Sequence, residues 1–258
     1  MNAAWNALRG LRVGCVRYLN ARPLIEPYDG EVTLDHPSAL AVALQRGELD
    51  VALIPVYEAL RMPGALVVDG VGIASRGEVW SVILAWQGEF ANIREIALDP
   101  ASRTSVHLCQ VLLAHWSDLR PVYVSEPAPQ GAARVLIGNQ AIAFRQKNPH
   151  WQILDLGQAW WEKSGLPFVF ALWVMRPGLQ EPARVAAALR DVKCAGRGRL
   201  EAIIAQEREY EPEFVRRYLT QWIRFEVGDA EKAGLDLFRE LLCRHALLPG
   251  STEPLHFV

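Results

Sequence analysis

Short apolar runs alternate with stretches of helical period through the first two-thirds of the chain. Short apolar runs bounded by turn residues predict β-strands, whereas apolar positions spaced by three and four predict helices that bury one face. In the first third of the chain, the predicted strands are residues 11–16, 32–34, 51–54, 66–68 and 80–86, and a helix is predicted over residues 38–46. Strands and helices that alternate in this way are typical of an α/β protein.

A second series of the same kind begins at Ile96 and gives way to helices after Pro177. Its predicted strands are residues 96–98, 122–124, 134–137, 152–154 and 168–175, its helices are residues 104–115 and a segment from Asn139, and the later helices are residues 181–192, 199–207, 212–222 and 229–246. The long apolar strands 80–86 and 168–175 connect the two series, which predicts two lobes joined by two hinge strands.

We assign residues 1–86 and 176–258 to lobe 1, which includes the C-terminal helices, and residues 87–175 to lobe 2. A chain of this kind has a cleft between its lobes. Because α/β proteins bind ligands beyond the carboxyl ends of their strands, we expect a ligand in this cleft.

The composition and charge exclude several classes of protein. Of the 258 residues, 51% are hydrophobic and 22% are charged, which is enough for one large or two medium domains with substantial cores. A net charge of -2 offers no electrostatic footprint for nucleic acid. No uninterrupted run of about 18 apolar residues occurs, which argues against a membrane span.

The cysteines and the first residues favour a cytoplasmic protein with reduced thiols. Cys15, Cys109, Cys194 and Cys243 form no Cys-x-x-Cys pair and no Cys/His cluster with zinc spacing. Residues 1–10 lack the charged head, apolar run and cleavage site of an export signal. We therefore expect a cytoplasmic protein, and the sequence indicates no metal site.

Small hydroxyl residues lie between a predicted strand and a predicted helix, in the segment Ala101-Ser102-Arg103-Thr104-Ser105. The free N–H groups and positive pole of a helix start, together with such hydroxyls, form a site for a carboxylate or a phosphate. Ser and Thr also cap helices, which requires no ligand. Three hydroxyls and an arginine within four residues exceed what capping needs, so the pattern favours an anion site.

Two further polar residues belong to the ends or interiors of predicted strands. Asn20 follows the first strand, where the residue type alone favours a helix N-cap over a ligand contact by roughly two to one. Ser81 lies within the outgoing hinge strand. His107 falls on the predicted helix 104–115 and is interpreted as a structural histidine rather than a base.

No catalytic or phosphate-binding motif is complete. The chain has no nucleophile elbow and no interpretable pair of acids. Gly70-x-Gly72 follows a strand but lacks the third glycine of a dinucleotide loop, and Gly196-Arg197-Gly198-Arg199 is interpreted as a turn between helices.

Several strings nevertheless occur in one order that resembles the chorismate dehydratase family of the futalosine route to menaquinone. The strings are Tyr18-Leu19-Asn20-Ala21-x-Pro23-Leu24, Gly47-Glu48-Leu49-Asp50-Val51-Ala52-Leu53-Ile54-Pro55, Val71-Gly72-Ile73-Ala74-Ser75, Ser102-Arg103-Thr104-Ser105, Leu136-Ile137-Gly138 and Gly165-Leu166-Pro167-Phe168-Val169-Phe170-Ala171. The resemblance extends from about Arg12 to the final helix, and the Ser-Arg-Thr-Ser and Gly-Leu-Pro-Phe-Val-Phe-Ala strings are its most specific parts.

This resemblance implies a two-lobed fold like the type II periplasmic binding proteins and a lyase that converts chorismate to 3-[(1-carboxyvinyl)oxy]benzoate and water. It implies no metal and no organic cofactor, a small dicarboxylate as the partner, and a monomer or a homodimer. Its implied catalytic residues are Asn20 and Ser81, and its implied substrate-binding residues are Arg17, Ser102, Arg103, Thr104, Ser105 and Gly138.

Some alternatives stay open at the level of sequence. Arg103 pairs either with the substrate or with Asp99, and Asn139 replaces an acid that commonly follows Ile-Gly in the family. The same cleft also suits a cytoplasmic protein that binds a small carboxylate without changing it, because a fold does not define a function. The sister dihydroxynaphthoate synthase has a similar fold and is the nearest related enzyme.

Overall fold

The computed structural model describes residues 3–98, 103–125, 129, 131–248 and 253–258. Its strands form two sheets, each of which belongs to one lobe. Ser102, part of the predicted anion site, and Asp99, the alternative partner of Arg103, lie outside the described residues.

The first sheet contains six strands in the order β11-β4-β10-β3-β1-β2. These are β1 (Val13–Cys15), β2 (Val32–Leu34), β3 (Val51–Pro55), β4 (Leu66–Ser75), β10 (Phe168–Met175) and β11 (His256–Phe257). Strand β1 is parallel to β2 and β3, whereas β10 is antiparallel to β3 and β4. Every residue of β3 is buried, as expected for a central strand covered on both faces.

The second sheet contains five strands in the order β7-β6-β8-β5-β9. These are β5 (Val82–Trp86), β6 (Glu95–Leu98), β7 (Val122–Ser125), β8 (Ala133–Ile137) and β9 (Gln152–Asp155). Strand β6 is parallel to β7 and β8, and β5 is antiparallel to β8 and β9.

Helices cover both sheets, and four shorter helical turns complete the described structure. The helices are α1 (Arg22–Ile25), α2 (Pro37–Gln45), α3 (Val56–Leu60), α4 (Arg103–Trp116), α5 (Gly138–Lys147), α6 (Leu156–Ser164), α7 (Pro182–Gly198), α8 (Leu200–Gln206), α9 (Pro212–Arg217) and α10 (Asp229–Arg244). The 3₁₀ segments are Ala3–Leu8, Leu19–Ala21 and Phe90–Asn92, and Tyr218–Trp222 is a π-helical turn.

The strand pairing contradicts the predicted lobe boundary for the two long apolar strands. That division puts residues 80–86 in lobe 1 and residues 168–175 in lobe 2, whereas Val82–Trp86 pairs within the second sheet and Phe168–Met175 within the first. Neither strand spans both lobes. Apolar composition indicates burial but carries no information about which neighbour a strand pairs with, so the sequence could not decide this point.

The chain crosses from the first sheet to the second between β4 and β5, and the buried carboxylate of Asp155 holds this crossing in place. Asp155 accepts hydrogen bonds from the backbone N–H groups of Val79 and Trp80, and it caps α6 by accepting from Gly157 and Gln158. Burial raises the pKa of Asp155, and these hydrogen bonds oppose that effect. Trp80 adopts a left-handed conformation with φ of 65° at the same crossing. Asp155 thereby joins the outgoing crossing to the start of α6.

Strand β4 is longer than the sequence predicts. The predicted strand covers only residues 66–68, but the following residues to Ser75 continue β4 against β10, from the Leu66 pairing with Met175 to the Ser75 pairing with Phe168. A Cβ on Gly72 would lie 2.8 Å from the Ala171 carbonyl oxygen, so this glycine permits the close approach of β10. Pairing with a long neighbour overrides the local preference of glycine for turns.

Helix α6 has no counterpart in the sequence analysis. Its boundary signals are nevertheless present, since Asp155 is its N-cap and Gly165 ends it with φ of 69°. The helix packs through Trp160, whose ring meets Phe168 of β10 and Phe238 of α10 edge-on at centroid distances of 5.2 and 6.0 Å.

The Gly-Arg-Gly-Arg segment lies at the end of α7, and Arg199 separates α7 from α8. Replacing Gly196 with alanine is expected to lower the free energy of unfolding by about 1–3 kcal/mol, because the added Cβ would lie 1.8 Å from the Pro23 carbonyl oxygen and would force α1 and α7 apart. Urea denaturation measures the change.

Gly198 provides the matched control, because it lies two residues further along α7 and a Cβ there would meet nothing within 4 Å. The Gly198→Ala protein is expected to unfold at or slightly above the wild-type urea concentration. Equal midpoints for the two variants would show that α1 and α7 tolerate the wider spacing.

Candidate functional site

A partly open cavity, with about 570 Å³ of space including its open side, lies between the sheets, at the carboxyl ends of β1, β3 and β8 and the first turn of α4. Apolar residues such as Leu53, Ile73 and Phe170 form much of its wall. In the described part of the chain, its polar side chains are Tyr18, Asn20, Ser81, Arg103, Thr104 and Ser105.

The cavity brings together most of the residues that the resemblance assigned to the site. Its lining includes both predicted catalytic residues and the predicted binding residues Arg103, Thr104, Ser105 and Gly138. Arg17 is not among the described lining residues: its side chain is exposed, and Nη2 donates a hydrogen bond to the Leu34 carbonyl oxygen at 3.0 Å. The arginine therefore braces β2 instead of facing the cavity, a distinction that its position after β1 did not reveal.

Asn20 lies in the 3₁₀ turn after β1 and is 8% exposed. The cap interpretation is wrong, because the residues before the turn and before α1 are Tyr18 and Ala21, and neither helix start has a side-chain cap. The Asn20 side chain instead lines the cavity, and its Oδ1 is buried without a hydrogen-bond partner. An acceptor of this kind is expected to take a donor from a bound ligand.

Ser81 lies directly before β5 and is 1% exposed. Its Oγ accepts a hydrogen bond from the Tyr218 hydroxyl at 2.7 Å and lies 3.4 Å from the Val79 carbonyl oxygen. Its own carbonyl oxygen accepts a hydrogen bond from the Gly138 N–H at 2.8 Å. Ser81 is thus bonded both to the C-terminal helices and to the start of α5.

Gly138 begins α5 in a left-handed conformation with φ of 56°. A Cβ there would lie 2.9 Å from the Tyr18 ring, so only glycine lets this ring rest against the start of the helix. The next residue, Asn139, accepts a hydrogen bond from the Leu19 N–H through Oδ1 at 3.2 Å. Asn139 therefore ties the second sheet's helix to the turn that carries Asn20.

The first turn of α4 supplies the hydroxyls of the predicted anion site. Thr104 and Ser105 are 3% and 6% exposed. Thr104 Oγ1 accepts a hydrogen bond from the Tyr57 N–H at 3.0 Å, which leaves the hydroxyl proton of Thr104 available for a ligand. The positive pole of a 14-residue helix faces the cavity here, so an anion at this position is stabilised by the helix and by the hydroxyls.

Of the described side chains that line the cavity, Arg103 alone is charged. Its Nε donates a hydrogen bond to Glu58 Oε1 at 2.8 Å, and its guanidinium lies 5.8 Å from the centre of the Tyr57 ring. Glu58 and Tyr57 belong to α3, so the arginine at the start of α4 is held from the other lobe. This ion pair fixes the position of the Arg103 side chain in the cavity wall.

His107 lies outside the described lining and is occupied by structural contacts. Its ring stacks on Tyr57 at a centroid distance of 3.6 Å, and Nδ1 lies 2.6 Å from the Arg103 carbonyl oxygen. Burial lowers the pKa of His107, which keeps the imidazole neutral at neutral pH. The geometry agrees with the structural role predicted for this residue.

Comparison with known proteins places the chain in a family. A family model described as menaquinone biosynthesis matches residues 11–244, which is most of the sequence. The chain belongs to this menaquinone biosynthesis family. Relatives include a chorismate dehydratase of Thermus thermophilus, 28% identical over 91% of this chain and 96% of the relative, and one of Campylobacter jejuni, 27% identical over 86% and 88%.

Solved structures agree with the fold expected for this member of the menaquinone biosynthesis family. A protein from Archaeoglobus fulgidus superposes with a TM-score of 0.73 at 16% identity, over 92% of this chain and 98% of that one. The periplasmic aliphatic sulphonate binding protein of Escherichia coli gives a TM-score of 0.61 at 15% identity, over 93% and 94%. The predicted periplasmic-binding-protein-like fold is confirmed. None of the described helices is both long and apolar enough to span a membrane.

One residue of this family member's site escaped the sequence analysis altogether. Tyr218 lies 137 residues from Ser81, in a segment that the sequence marks only as helical. Tyr218 is a buried core aromatic residue whose hydroxyl donates a hydrogen bond to Ser81 in the cavity wall. No local sequence pattern predicts such a contact, because side chains from distant elements meet only in the folded chain.

Proposed function

We propose that the protein removes water from chorismate to give 3-[(1-carboxyvinyl)oxy]benzoate. The observation that carries the proposal is the convergence of Asn20 and Ser81 with the first turn of α4 around one apolar cavity. The two curated relatives named chorismate dehydratase align along most of the chain and support it. Chorismate loses its C4 hydroxyl and its C3 proton, so the ring becomes aromatic and the substrate itself supplies the thermodynamic drive.

The start of α4 holds the ring carboxylate in this proposal. Arg103 supplies a positive charge, and Thr104 and Ser105 supply hydroxyl donors beside the helix N-terminus. When the C3 proton leaves, negative charge spreads through the ring diene into this carboxylate. The same donors therefore stabilise the transition state more strongly than the bound substrate.

The proton acceptor is the substrate's own enolpyruvyl carboxylate, held near C3. Among the described lining residues there is no Asp, Glu, His, Lys or Cys, the side chains that most often act as general bases. A carboxylate that arrives with the substrate fills this role without a protein base. The cavity then needs only to fix the position of the enolpyruvyl arm.

Asn20 and Ser81 line the same cavity as the first turn of α4, and we assign them to the departing hydroxyl. The unpartnered Asn20 Oδ1 accepts the proton of the C4 hydroxyl in the bound substrate. The Ser81 hydroxyl donates to the same oxygen, which stabilises the negative charge that develops as the C4–O bond breaks.

A substrate-supplied base predicts that kcat/KM for chorismate is nearly constant between about pH 6 and pH 8. Carboxylates are ionised throughout this range, and the lowered pKa of His107 puts the titration of that group below its ordinary value of 6.5. Steady-state rates across the range measure the profile. A rise of tenfold or more with a midpoint near pH 6–7 would indicate a protein base and contradict this assignment.

The test of the proposed function is incubation of the purified protein with chorismate, without added metal or cofactor, followed by mass spectrometry. A product lighter by one water, with the ultraviolet spectrum of a substituted benzoate, supports the dehydratase. Intact chorismate with measurable binding would identify a binding protein instead. The absence of both turnover and binding would overturn chorismate as the substrate. The assay would then turn to the reaction of the sister dihydroxynaphthoate synthase.

We also propose a cytoplasmic location. All four cysteines are free thiols, and two of them, Cys15 and Cys109, are buried. Unpaired thiols are the usual state in a reducing compartment. Cell fractionation with an antibody against the protein tests this location, and a monomer or a homodimer remains the prediction for its assembly.

A further inference from the structure

Tyr218 occupies an unusual position for a core aromatic residue. It is 1% exposed and begins the π-helical turn that follows α9, in the C-terminal helical segment. Its ring lies parallel to that of Phe214 at a centroid distance of 6.0 Å. Such π-helical turns occur mostly as isolated insertions in helices and are frequent at functional sites. Here the turn places a phenol hydroxyl behind the cavity wall.

The Tyr218 hydroxyl bonds to one of the two residues that we assign to the departing hydroxyl. It donates to Ser81 Oγ at 2.7 Å, and both groups are buried. Tyr218 and Ser81 are 137 positions apart in the sequence and belong to different elements. Tyr218 therefore connects the C-terminal helices to the cavity wall.

The hydrogen bonds of Ser81 hold its hydroxyl in one orientation. A phenol has one proton, and Tyr218 gives it to Ser81 at 2.7 Å. Ser81 donates its own proton to the Val79 carbonyl oxygen at 3.4 Å, which is a long hydrogen bond. A ligand acceptor at a shorter distance can therefore take over this proton while Tyr218 keeps the Ser81 oxygen in place.

We propose that Tyr218 is a positioning residue that fixes the Ser81 hydroxyl in the cavity wall, so that Ser81 presents its proton to the leaving hydroxyl. This inference rests on the proposed dehydratase function. Burial raises the pKa of the Tyr218 phenol, which keeps its proton in place across the working pH range. Tyr218 takes no part in proton transfer. Without its hydroxyl, the Ser81 side chain is free to rotate to orientations that do not match the substrate.

The first test compares Tyr218→Phe with Tyr28→Phe. Tyr28 is a matched control because it is also buried and donates a single hydrogen bond, to the Leu8 carbonyl oxygen at 3.1 Å, but it lies outside the described cavity lining. We expect Tyr218→Phe to lower kcat for chorismate about 10- to 100-fold with KM changed less than about threefold, the effect of misplaced catalytic groups. Tyr28→Phe is expected to keep the wild-type kcat.

Thermal unfolding of the two variants separates positioning from general stability. Both lose one buried phenol hydrogen bond, so similar decreases in Tm are expected. A loss of kcat confined to Tyr218→Phe at equal Tm supports the inference. A kcat within twofold of wild type in Tyr218→Phe would overturn it.

The kcat of a double mutant distinguishes positioning of Ser81 from a purely structural role of Tyr218. In a Ser81→Ala background, Tyr218→Phe is expected to lower kcat by less than about threefold, because residues that act through one another give non-additive effects. A full additional 10- to 100-fold loss would show that Tyr218 acts independently of Ser81 and would contradict the proposal. Wild-type protein that fails to dehydrate chorismate would instead overturn the proposed function, so the two failures are distinguishable.

Discussion

Replacing Asn20 with alanine is expected to lower kcat for chorismate by about 100- to 1,000-fold while KM changes little, an effect like that of removing one preorganised polar group from an active site. Asn20 is buried in the turn after β1, and its Oδ1 is an acceptor without a protein partner. Its interaction with the leaving hydroxyl matters most as the C4–O bond breaks. Binding of the substrate depends mainly on the carboxylate contacts at α4, so KM reports on a different part of the site.

Steady-state kinetics with product detection by mass spectrometry measure this effect. Asn148→Ala is a suitable control, because the Asn148 Nδ2 donates only to the Phe144 carbonyl oxygen among described contacts and the residue lies at the far end of α5. We expect wild-type kinetics from the control. Unchanged turnover in Asn20→Ala would remove Asn20 from the catalytic machinery.

The second large effect is expected from Arg103→Gln, which should raise KM for chorismate about 10- to 100-fold with a smaller change in kcat. Arg103 is the charged side chain among the described cavity residues, and a charge-assisted hydrogen bond to a carboxylate contributes about 1.5–3 kcal/mol. Glutamine keeps most of the side chain's length and polarity but removes the charge. Substrate-saturation curves at fixed ionic strength measure the change, since added salt screens such an interaction.

Arg61→Gln separates substrate binding from the support that α3 gives to Arg103. Arg61 also pairs with Glu58, at 3.4 Å, and its guanidinium lies 5.7 Å from the centre of the Tyr57 ring, but Arg61 is not among the described lining residues. It therefore shares both partners of Arg103 without facing the ligand. We expect a KM near that of wild type. An equal increase in KM for the two variants would mean that Arg103 acts by holding α3 in place.

Much of the fold follows from local patterns of hydrophobicity. The fully buried strand Val51–Pro55 and the helix Arg103–Trp116 lie within one or two residues of their predicted positions, because their apolar periods are long and uninterrupted. Helix α6 was not predicted, although Asp155 and Gly165 mark its ends. The adjacent Trp160 and Trp161 obscure the spacing of three and four between apolar residues that indicates a helix. The membership of β5 and β10 in their sheets was equally hidden, because strand pairing depends on partners far away in the chain.

The candidate site also contains a part that the sequence could predict and a part that it could not. The segment at the start of α4 could be recognised because a strand, hydroxyl residues and a helix follow one another directly in the sequence. Arg17 shows the limit of such reasoning: it follows β1 as closely as Asn20 does, yet its guanidinium bonds to Leu34 outside the described cavity wall. Position along the chain places a residue near an edge of the sheet but does not orient its side chain.

The sequence by itself determined the α/β class, the two series of strands and helices, and the family to which the ordered strings belong, because these properties are written in neighbouring residues. The tertiary structure alone decided which distant residues form hydrogen bonds and ion pairs in the site. Tyr218 donates a hydrogen bond to Ser81, Glu58 holds Arg103 from the opposite lobe, and Asn139 bonds to the turn after β1. Hydrogen bonds and ion pairs form between atoms about 3 Å apart, and which distant residues reach that distance is decided only when the sheets and helices pack.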